Sequence, residues 1–360
     1  MKRLVEHGLL RAVRLLQPEH AHELTIRALE RGAYVAHAGA DDPRLRVARF
    51  GLDFPNPVGV AAGFDKDARA FRAVLAMGAG FAEIGTVTPK PQAGNPKPRI
   101  FRLPGDRAVV NRLGFNNQGH AAALARLEGR LPGIVGVNIG ANKDTADRAA
   151  DYASGIETFA PVASYLMVNI SSPNTPGLRN LQAPAELDQL LARVLEARER
   201  TIAKGVPKRP ILVKLAPDLA DEDLGGIVAV LEARQVDGIA VSNTTLSRAG
   251  VADPQASEAG GLSGRPLFKR ATRMLARVYL ATGGRIPLIG IGGIDSPERT
   301  IEKIAAGASL IQVYTALIYE GFSLIERIKQ GLSGELDRRG LASLDALTGT
   351  RAEAWAAERV

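Results

Sequence analysis

Short apolar runs alternate with longer segments of helical pattern from about residue 58 onward. Eight such runs cover residues 58–63, 81–87, 134–140, 165–171, 211–217, 238–243, 286–293 and 310–316. Between them, segments such as 185–203 and 221–234 place apolar residues at the three- and four-residue spacing typical of helices. Alternation of strands and helices predicts a parallel sheet, and eight such units predict an α/β fold of the (β/α)8 TIM barrel type.

The alternative architecture is a doubly wound open sheet. The chain has no early Gly-x-Gly-x-x-Gly that opens a helix, and this favours the barrel. Two long connections depart from the regular alternation. Residues 89–117 contain 99–103 and 108–110, which predict a small β-hairpin laid over the barrel mouth, and residues 172–181 follow the fourth run. Long insertions in a compact domain are typical of functional segments.

The N-terminal 40 residues have a different pattern, which predicts two helices separated by Gln17-Pro18-Glu19. The first helix carries an apolar stripe of Leu4, Val5, Leu9, Leu10, Val13 and Leu16, with basic residues elsewhere around it. The second, about His20 to His37, carries Leu24, Ile26, Leu29 and Tyr34. The pattern by itself favours a helical cap on the barrel over an amphipathic hairpin on a membrane surface.

Composition narrows the classes of function. The chain has 360 residues, is 46% hydrophobic and contains no cysteine, which excludes disulfides, zinc–thiolate sites and a thiol nucleophile. The net charge of +8 suits an anionic membrane surface or anionic small molecules. Nucleic acid is the weakest candidate, because no basic run has interleaved aromatic residues. Without an apolar stretch of transmembrane length or a signal peptide, we expect a cytoplasmic chain starting at Met1.

Polar side chains follow the ends of the predicted strands. Because these ends meet at one face of a barrel, we expect the side chains to converge. The residues at or just after these strand ends, including two small ones, are Ala62, Gly63, Asp65, Lys66, Thr86, Asn138, Asn169, Ser172, Ser242, Asn243, Thr244, Tyr314 and Thr315. Each alone is typical of a turn or a helix cap. Together they predict a mouth that binds a polar, planar, anionic ligand.

Two features of the sequence narrow the predicted chemistry of this ligand. Lys214 lies in the middle of an apolar run, where an unpaired charge is costly, and we therefore expect an anionic partner inside the barrel. Three elements lie where barrels commonly bind phosphate through backbone N–H groups. Gly264 follows the sixth run, Gly293 ends the seventh, and Tyr314-Thr315 lies at the end of the eighth. The pattern predicts a phosphate-bearing cofactor.

The candidates for proton transfer are few. All five histidines precede the third run, so a histidine base at the mouth is not expected. Ser172 has the ordinary role of a turn hydroxyl, and it could act as a base only if its proton found a route out. No cluster of histidine and carboxylate residues has the spacing of metal ligands, and we expect no metal.

Five motifs carry a family resemblance: AAGFDK at 61–66, EIGTVTPKPQ at 83–92, NRLGFNN at 111–117, NISSPNTPGL at 169–178 and GLSGRP at 261–266. The chain resembles the dihydroorotate dehydrogenases, in the membrane-associated, quinone-dependent form called class 2, over almost its whole length. The resemblance implies an FMN-binding barrel that oxidises dihydroorotate to orotate in de novo pyrimidine (UMP) biosynthesis, with a membrane quinone as final electron acceptor.

The resemblance also assigns residues to roles. It implies that Ser172 is the base that removes the proton from C5 of the substrate while hydride leaves C6 for flavin N5. The implied substrate-binding residues are Lys66, Asn111, Arg112, Leu113, Gly114, Phe115, Asn169, Asn174, Asn243 and Thr244. The implied FMN-binding residues are Ala62, Gly63, Lys66, Thr86, Asn138, Asn169, Lys214, Ser242, Gly264, Gly293, Tyr314 and Thr315. Ser242 stands where threonine is common in the family, and its hydroxyl is retained.

The resemblance reverses the interpretation of the N-terminus. It implies that residues 1–40 form an amphipathic segment for membrane attachment and quinone access, with His22, Arg102 and Tyr314 lining a tunnel. Residues 41–338 form the catalytic barrel, and we expect residues 339–360 to be a partly disordered tail. It implies a monomer attached peripherally to an anionic lipid surface on the cytoplasmic face of the membrane, with no obligate protein partner.

Two other readings compete with this one. A soluble class 1 relative would pass electrons to fumarate or NAD, but that group uses a cysteine base and lacks the N-terminal helices. A membrane-binding or scaffolding barrel without catalysis is the alternative from another class. The presence of Lys66, Ser172 and Lys214 argues against it.

Overall fold

The computed structural model describes Gly8 and residues 12–129 and 131–360, and its centre is a closed barrel of parallel strands. The barrel strands in chain order are β1 (Val58–Asp65), β2 (Phe81–Val87), β3 (Ile134–Ile139), β4 (Tyr165–Asn169), β5 (Ile211–Leu215), β6 (Gly238–Val241), β7 (Leu288–Ile291) and β8 (Ala308–Val313). Strand β8 pairs with β1 and closes the circle. Each strand overlaps one of the predicted apolar runs, with β1 ending two residues later and β8 beginning two residues earlier than predicted, so the (β/α)8 prediction is confirmed.

The strands are apolar on both faces because helices cover the outside of the barrel and side chains fill its inside. All five residues of β4 and all five of β5 are buried. The parallel register places Gly85 of β2 opposite Asn138 of β3, and Asn169 of β4 opposite Lys214 of β5. The polar residues at the strand ends therefore lie in adjacent positions around the mouth.

The helices follow the strands as the three- and four-residue spacing predicts. After the N-terminal region they are Phe71–Ala76, Gly119–Leu127, Arg148–Phe159, Pro184–Ala203, Leu224–Ala233, Phe268–Ala281, Pro297–Ala305, Thr315–Glu320, Ser323–Arg339 and Ala352–Ala356. The helix Arg148–Phe159 begins at an Asp147 cap, whose Oδ1 accepts a hydrogen bond from the N–H of Ala150 at 3.0 Å. Five short 3-10 turns lie at Pro43–Leu45, Leu178–Gln182, Pro254–Ser257, Arg265–Leu267 and Leu344–Ala346.

Two small sheets accompany the barrel. Val47–Arg49 and Leu52–Phe54 form an antiparallel pair ahead of β1. The predicted hairpin is present as Ile100–Leu103 and Ala108–Asn111. A third strand, Gly261–Gly264, pairs with Ala108–Asn111 and was not predicted. This pairing joins the long insertion after β2 to the loop after β6.

The N-terminal region contains the helix Pro18–Glu30, with Gln17 as its cap: the Gln17 Oε1 accepts from the N–H of His20 at 2.9 Å. The predicted end at His37 is wrong, since Gly32 adopts a φ of +82° and the helix stops before it. Leu4, Val5, Leu9 and Leu10 of the first predicted helix lie outside the described residues. Within the described part of the chain, no helix combines the length and the apolar character needed to cross a membrane.

The C-terminal segment 339–360 is packed rather than partly disordered. Leu344 and Leu347 are buried, and the Trp355 indole lies edge-on to Phe268 at 5.7 Å between ring centroids. The Trp355 Nε1 also donates to Glu302 Oε2 at 2.8 Å. The expectation of disorder failed because these few apolar residues have a barrel surface to cover, which the tail sequence alone does not show.

The burial of His120 predicts that the fold loses stability at acidic pH. It lies 5.0 Å from the Phe159 ring, its Nε2 has no partner in the described chain, and burial lowers its pKa from 6.5 to about 4. Between these values the unfolded chain binds more protons, so the free energy of unfolding falls as pH falls through this window, by up to about 3 kcal/mol for this residue. In the variant His120→Leu, the drop in the free energy of unfolding between pH 7 and pH 4.5, measured by urea titration, should be smaller by this contribution. An unchanged dependence would contradict the assignment.

Candidate functional site

The carboxyl ends of the barrel strands open into a cavity with about 660 Å³ of space between its lining atoms, the solvent at its entrance included. We call it the mouth cavity. The predicted residues that line it are Ala62, Lys214, Ser242, Asn243, Thr244, Gly264, Gly293, Tyr314 and Thr315. Side chains from separate strands and loops therefore meet in one place, as the strand-end argument requires.

Lys214 is the cation that β5 contributes to the mouth cavity. It lies within β5, is 5% exposed, and its ammonium has no hydrogen-bond or ion-pair partner among the described residues. Burial lowers the pKa of Lys214, and the charge of Glu83 opposes this shift. A buried ammonium without a partner is costly, and an anionic group bound in the cavity would offset that cost.

An amide and hydroxyl network lies at the ends of β2, β3 and β4. Asn169 Nδ2 donates to Thr86 Oγ1 at 2.9 Å and to Asn138 Oδ1 at 3.1 Å, and Thr86 Oγ1 donates to Asn138 Oδ1 at 2.5 Å. Asn138 Nδ2 in turn donates to Glu83 Oε1 at 2.9 Å. The three predicted residues are therefore oriented by one another and by a buried carboxylate.

Sequence reasoning missed Glu83. Its Oε2 accepts from the Tyr165 hydroxyl and from Gln312 Nε2, both at 2.8 Å, so three strands satisfy it inside the barrel. The signal available in the sequence was a carboxylate in the middle of an apolar run, which is the same signal that pointed to Lys214. Glu83 holds the polar layer beneath the mouth cavity.

One end of the mouth cavity suits a phosphate group. Gly264 and Gly293 have positive φ angles of +94° and +71°. A Cβ on Gly264 would lie 2.4 Å from the Arg107 carbonyl oxygen, and one on Gly293 would lie 2.6 Å from the Phe268 backbone. Only glycine fits these close approaches. Arg107 and Arg265 also line the cavity and supply positive charge at this end.

Ser172 lies on the loop after β4, residues 170–177, which we call the lid loop. Ser172 is buried, and its Oγ accepts from the N–H of Asn174 at 3.2 Å. Asn174 Nδ2 donates to Asn111 Oδ1 at 3.1 Å. Arg179 anchors the loop through Nε to the Ser171 carbonyl oxygen at 3.0 Å. The structure therefore brings together three of the residues implied for the substrate site.

The lid loop approaches the loop after β6. Asn243 Nδ2 donates to Ser171 Oγ at 2.9 Å, and Arg179 Nη2 donates to the Thr244 carbonyl oxygen at 2.8 Å. Thr244 Oγ1 is buried without a hydrogen-bond partner in the described chain. Because such a hydroxyl is costly to bury alone, it is available to a ligand.

The segment Asn111–Phe115 needs a correction at Arg112. Its guanidinium donates to Glu258 Oε2 at 2.6 Å and to the Pro98 carbonyl oxygen at 2.9 Å, and it lies 4.6 Å from the Phe101 ring centroid. These contacts engage the guanidinium with the insertion and with the loop after β6, and Arg112 does not line the mouth cavity. The carbonyl oxygens of Leu113 and Gly114 likewise accept from Asn95 and Gln92, at 3.0 and 3.2 Å.

A second cavity lies between the helix Pro18–Glu30 and the barrel, with about 1170 Å³ of space between its lining atoms, the solvent at its entrance included. We call it the helix cavity. His22, Phe64, Lys66 and Tyr314 line it, and Tyr314 also lines the mouth cavity. Two of the three predicted tunnel residues, His22 and Tyr314, therefore line the helix cavity, and Tyr314 lines both cavities.

Lys66 lies at the helix cavity, where its Nζ donates to Asn116 Oδ1 at 2.8 Å. Burial lowers its pKa to about 8. Burial and the charge of Lys66 lower the pKa of His22 to about 4, so this imidazole is neutral at pH 7. Asn116 was not predicted as a partner of Lys66.

The third predicted tunnel residue, Arg102, does not line the helix cavity. Its Nη1 donates to the carbonyl oxygens of Arg14 and Leu16, at 2.9 and 2.8 Å. The side chain instead ties residues 14–16 to the hairpin. Arg102 lies in the first strand of the hairpin, Ile100–Leu103, and its place in the sequence gave no sign of this contact.

Comparisons with known proteins agree with this geometry. The family model described as dihydroorotate dehydrogenase matches residues 44–336. A protein of Rhodopseudomonas palustris named dihydroorotate dehydrogenase (quinone) is 56% identical over 350 residues, 96% of both chains. One of the same name from Allorhizobium ampelinum is 53% identical over 100% of this chain and 99% of its own.

The fold agrees as well. The crystal structure of DHODH from Eimeria tenella in complex with ferulenol superposes with a TM-score of 0.88 at 38% identity, over 94% of this chain and 98% of that one. The matches cover nearly the whole of this chain and of each relative. The chain belongs to the dihydroorotate dehydrogenase family.

Proposed function

We propose that this chain oxidises dihydroorotate to orotate, with FMN as hydride acceptor and a membrane quinone as final electron acceptor, in de novo UMP biosynthesis. The observation that carries the proposal is Lys214, an ammonium without a hydrogen-bond or ion-pair partner in the described chain, buried in a cavity that has a glycine-lined, arginine-rich end. Asn243, which also lines this cavity, donates to Ser171 Oγ of the lid loop at 2.9 Å. The names of the relatives support the substrate and the quinone.

The residues of the mouth cavity fit FMN. Gly264, Gly293 and Thr315 would hold its phosphate, in the place where the close backbone approaches leave no room for side chains. Lys214 would face the electron-rich edge of the flavin ring, where a nearby charge tunes the cofactor. Ala62 and Ser242, which also line the mouth cavity, would complete the set together with Gly63 and with Lys66 from the neighbouring helix cavity. Thr86, Asn138 and Asn169 would form an ordered polar layer. FMN, when bound, supplies the acceptor for a hydride.

The residues of the lid loop and its neighbours would hold dihydroorotate. Asn111, Asn174, Asn243 and Thr244 offer amides and a hydroxyl for the ring, and Lys66 offers a cation for the carboxylate. Loss of a proton from C5 and of a hydride from C6 leaves the double bond of orotate. Ser172 Oγ accepts the C5 proton while its own hydroxyl proton passes to solvent, and the N–H of Asn174 fixes the orientation of that oxygen.

The helix cavity would admit the quinone. It shares Tyr314 with the mouth cavity, so an acceptor there would lie across one side chain from the flavin. Leu15, Leu16, Leu24 and Val35 of the N-terminal region are exposed, and Leu15 is 89% exposed. Apolar side chains on a chain of net charge +8 suit peripheral attachment to an anionic bilayer, on the cytoplasmic face, as a monomer. Residues 1–40 would be the attachment segment, and residues 41–338 the catalytic barrel.

The proposed activity is tested by comparing acceptors. Purified protein should be yellow, and dihydroorotate should bleach the flavin under anaerobic conditions. Quinone should then restore the colour, whereas fumarate and NAD should not. Purification without flavin, or flavin that dihydroorotate does not reduce, would refute the proposal, and reoxidation by fumarate or NAD would favour the class 1 reading.

Removing residues 1–16 should abolish membrane attachment without slowing the reduction of the flavin. Because the helix Pro18–Glu30 remains, we expect dihydroorotate to reduce the flavin at the full-length rate, and membrane attachment to be lost. The measurement is co-sedimentation with vesicles containing anionic lipid, together with stopped-flow reduction and reoxidation by a long-chain quinone. Full vesicle binding by the shortened chain would show that residues 1–16 are not the attachment segment.

A further inference from the structure

Asn95, in the insertion after β2, joins the insertion to the lid loop. Its Nδ2 donates to the carbonyl oxygen of Asn174 at 3.2 Å and to that of Arg112 at 3.0 Å. Its backbone N–H donates to the Leu113 carbonyl oxygen at 3.0 Å. One side-chain amide therefore links the lid loop, two residues from Ser172, to the segment that carries Asn111.

Arg99 holds Asn95 from the other side. It is 5% exposed, and its Nη1 donates to the carbonyl oxygens of Asn95 at 2.9 Å and Ala93 at 2.6 Å. Its Nη2 and Nε donate to Glu19, at 2.6 and 3.2 Å. Burial raises the pKa of Glu19, but the hydrogen bonds and charges of Arg99 and Lys97 together lower it below its usual value, so this carboxyl is ionised at pH 7. A buried, fully bonded guanidinium is a rigid support.

These contacts form a continuous path from Glu19, which lines the helix cavity, through Arg99 and Asn95 to Asn174. We propose that Asn95, held by Arg99, is a positioning residue that keeps the lid loop where Ser172 reaches the C5 proton. The inference rests on the proposed function. It also implies that Glu19, at the end of the path, affects the reaction with dihydroorotate although it lies at the other cavity.

The chemistry of the amide makes the proposal testable. Alanine at position 95 leaves two carbonyl oxygens without this donor, and a displacement of about 1 Å in catalytic geometry costs about 100-fold in rate. Aspartate keeps the shape of the side chain, but an ionised carboxylate only accepts hydrogen bonds and would face two carbonyl oxygens. Protonation restores one donor, so the Asn95→Asp defect should shrink as pH falls. A residue that only filled space would show no such pH dependence.

The experiment is stopped-flow reduction of the bound FMN by saturating dihydroorotate, followed by reoxidation with quinone. We expect Asn95→Ala and Asn95→Asp to slow reduction by about 10- to 100-fold, with FMN content and reoxidation within about twofold of the wild type. Glu19→Gln should slow the same half-reaction by about threefold, since it weakens the support of Arg99 without removing Asn95.

Asn142→Ala is the matched control. Asn142 Nδ2 donates to the Lys90 carbonyl oxygen and to Gln92 Oε1, both at 2.9 Å, so it anchors the start of the same insertion without contacting the lid loop. We expect its reduction rate to stay within about threefold of the wild type.

The outcomes separate two failures. Wild-type rates in Asn95→Ala, or an equal loss in Asn142→Ala, would overturn the inference while the proposed function stands. A wild-type flavin that dihydroorotate does not reduce would refute the proposed function itself. If Asn95→Ala loses its FMN, the pH profile of Asn95→Asp decides: a defect that is constant with pH overturns the positioning role.

Discussion

Ser172→Ala should slow the reduction of FMN by dihydroorotate by about 10²- to 10⁴-fold, the range of a lost general base. Ser172 is buried, and no histidine or carboxylate contacts its Oγ in the described chain, so no neighbour takes over its role. The substitution removes one oxygen and leaves the backbone of the lid loop in place. Stopped-flow absorbance of the flavin measures the rate, and titrations with FMN and orotate should show that binding persists.

Ser172→Cys is the matched control for the base assignment. It places a different proton acceptor on the same Cβ, in a chain that has no other cysteine. Because the thiolate is the basic form, with an unperturbed pKa of about 8.5, the variant should recover part of the lost rate and gain more as pH rises. Near-normal reduction in Ser172→Ala, or no difference between the two variants, would show that the base lies elsewhere.

Lys214→Met should weaken FMN binding by about 10- to 100-fold, the effect of losing a hydrogen bond to a charged group. Methionine has nearly the same length and carries no charge. Since Lys214 has no protein partner, removing its ammonium also removes a desolvation cost, and the FMN-free protein should melt at a higher temperature. The opposite signs of these two effects distinguish a cofactor contact from a structural lysine. Fluorescence titration with FMN and thermal melts of both forms measure them.

Lys303→Met is the control that the fold provides. Lys303 is fully buried, its Nζ has no hydrogen-bond partner in the described chain, and burial lowers its pKa well below the usual value. It lies 4.8 Å from the Phe268 ring, outside the residues that line the mouth cavity. This variant should also stabilise the FMN-free protein but leave FMN affinity unchanged. Equal FMN affinity in Lys214→Met and the wild type would show that Lys214 does not contact the cofactor, and the proposed function would lose its main support.

Local patterns were sufficient for the barrel and for part of the site. The eight strands were predictable because burial on both faces requires an uninterrupted apolar run, and this is visible within a few residues. Lys214 was recognisable for the same reason, as a charge that interrupts such a run. The role of Ser172 was different: its chemistry is that of an ordinary turn hydroxyl, and only the family motif around it implied a base.

Errors arose where a residue's partner is distant in sequence. Arg112 was assigned to the ligand because its neighbours are, but its guanidinium reaches Glu258, 146 residues away. Arg102 was assigned to a tunnel and instead binds the backbone at residues 14–16. The tail was expected to be partly disordered because nothing in residues 339–360 shows the surface that Trp355 covers.

The sequence by itself determined the eight strands, the hairpin, the convergence of polar strand ends and the need for an anion beside Lys214. Only the tertiary structure decided the partners: Glu83 with Gln312, 229 residues apart, and Asn95 with Asn174, 79 residues apart. The physical reason is that burial and backbone preference are properties of a residue and its neighbours, whereas a hydrogen bond also requires a second atom at a particular distance. The closed barrel sets that distance.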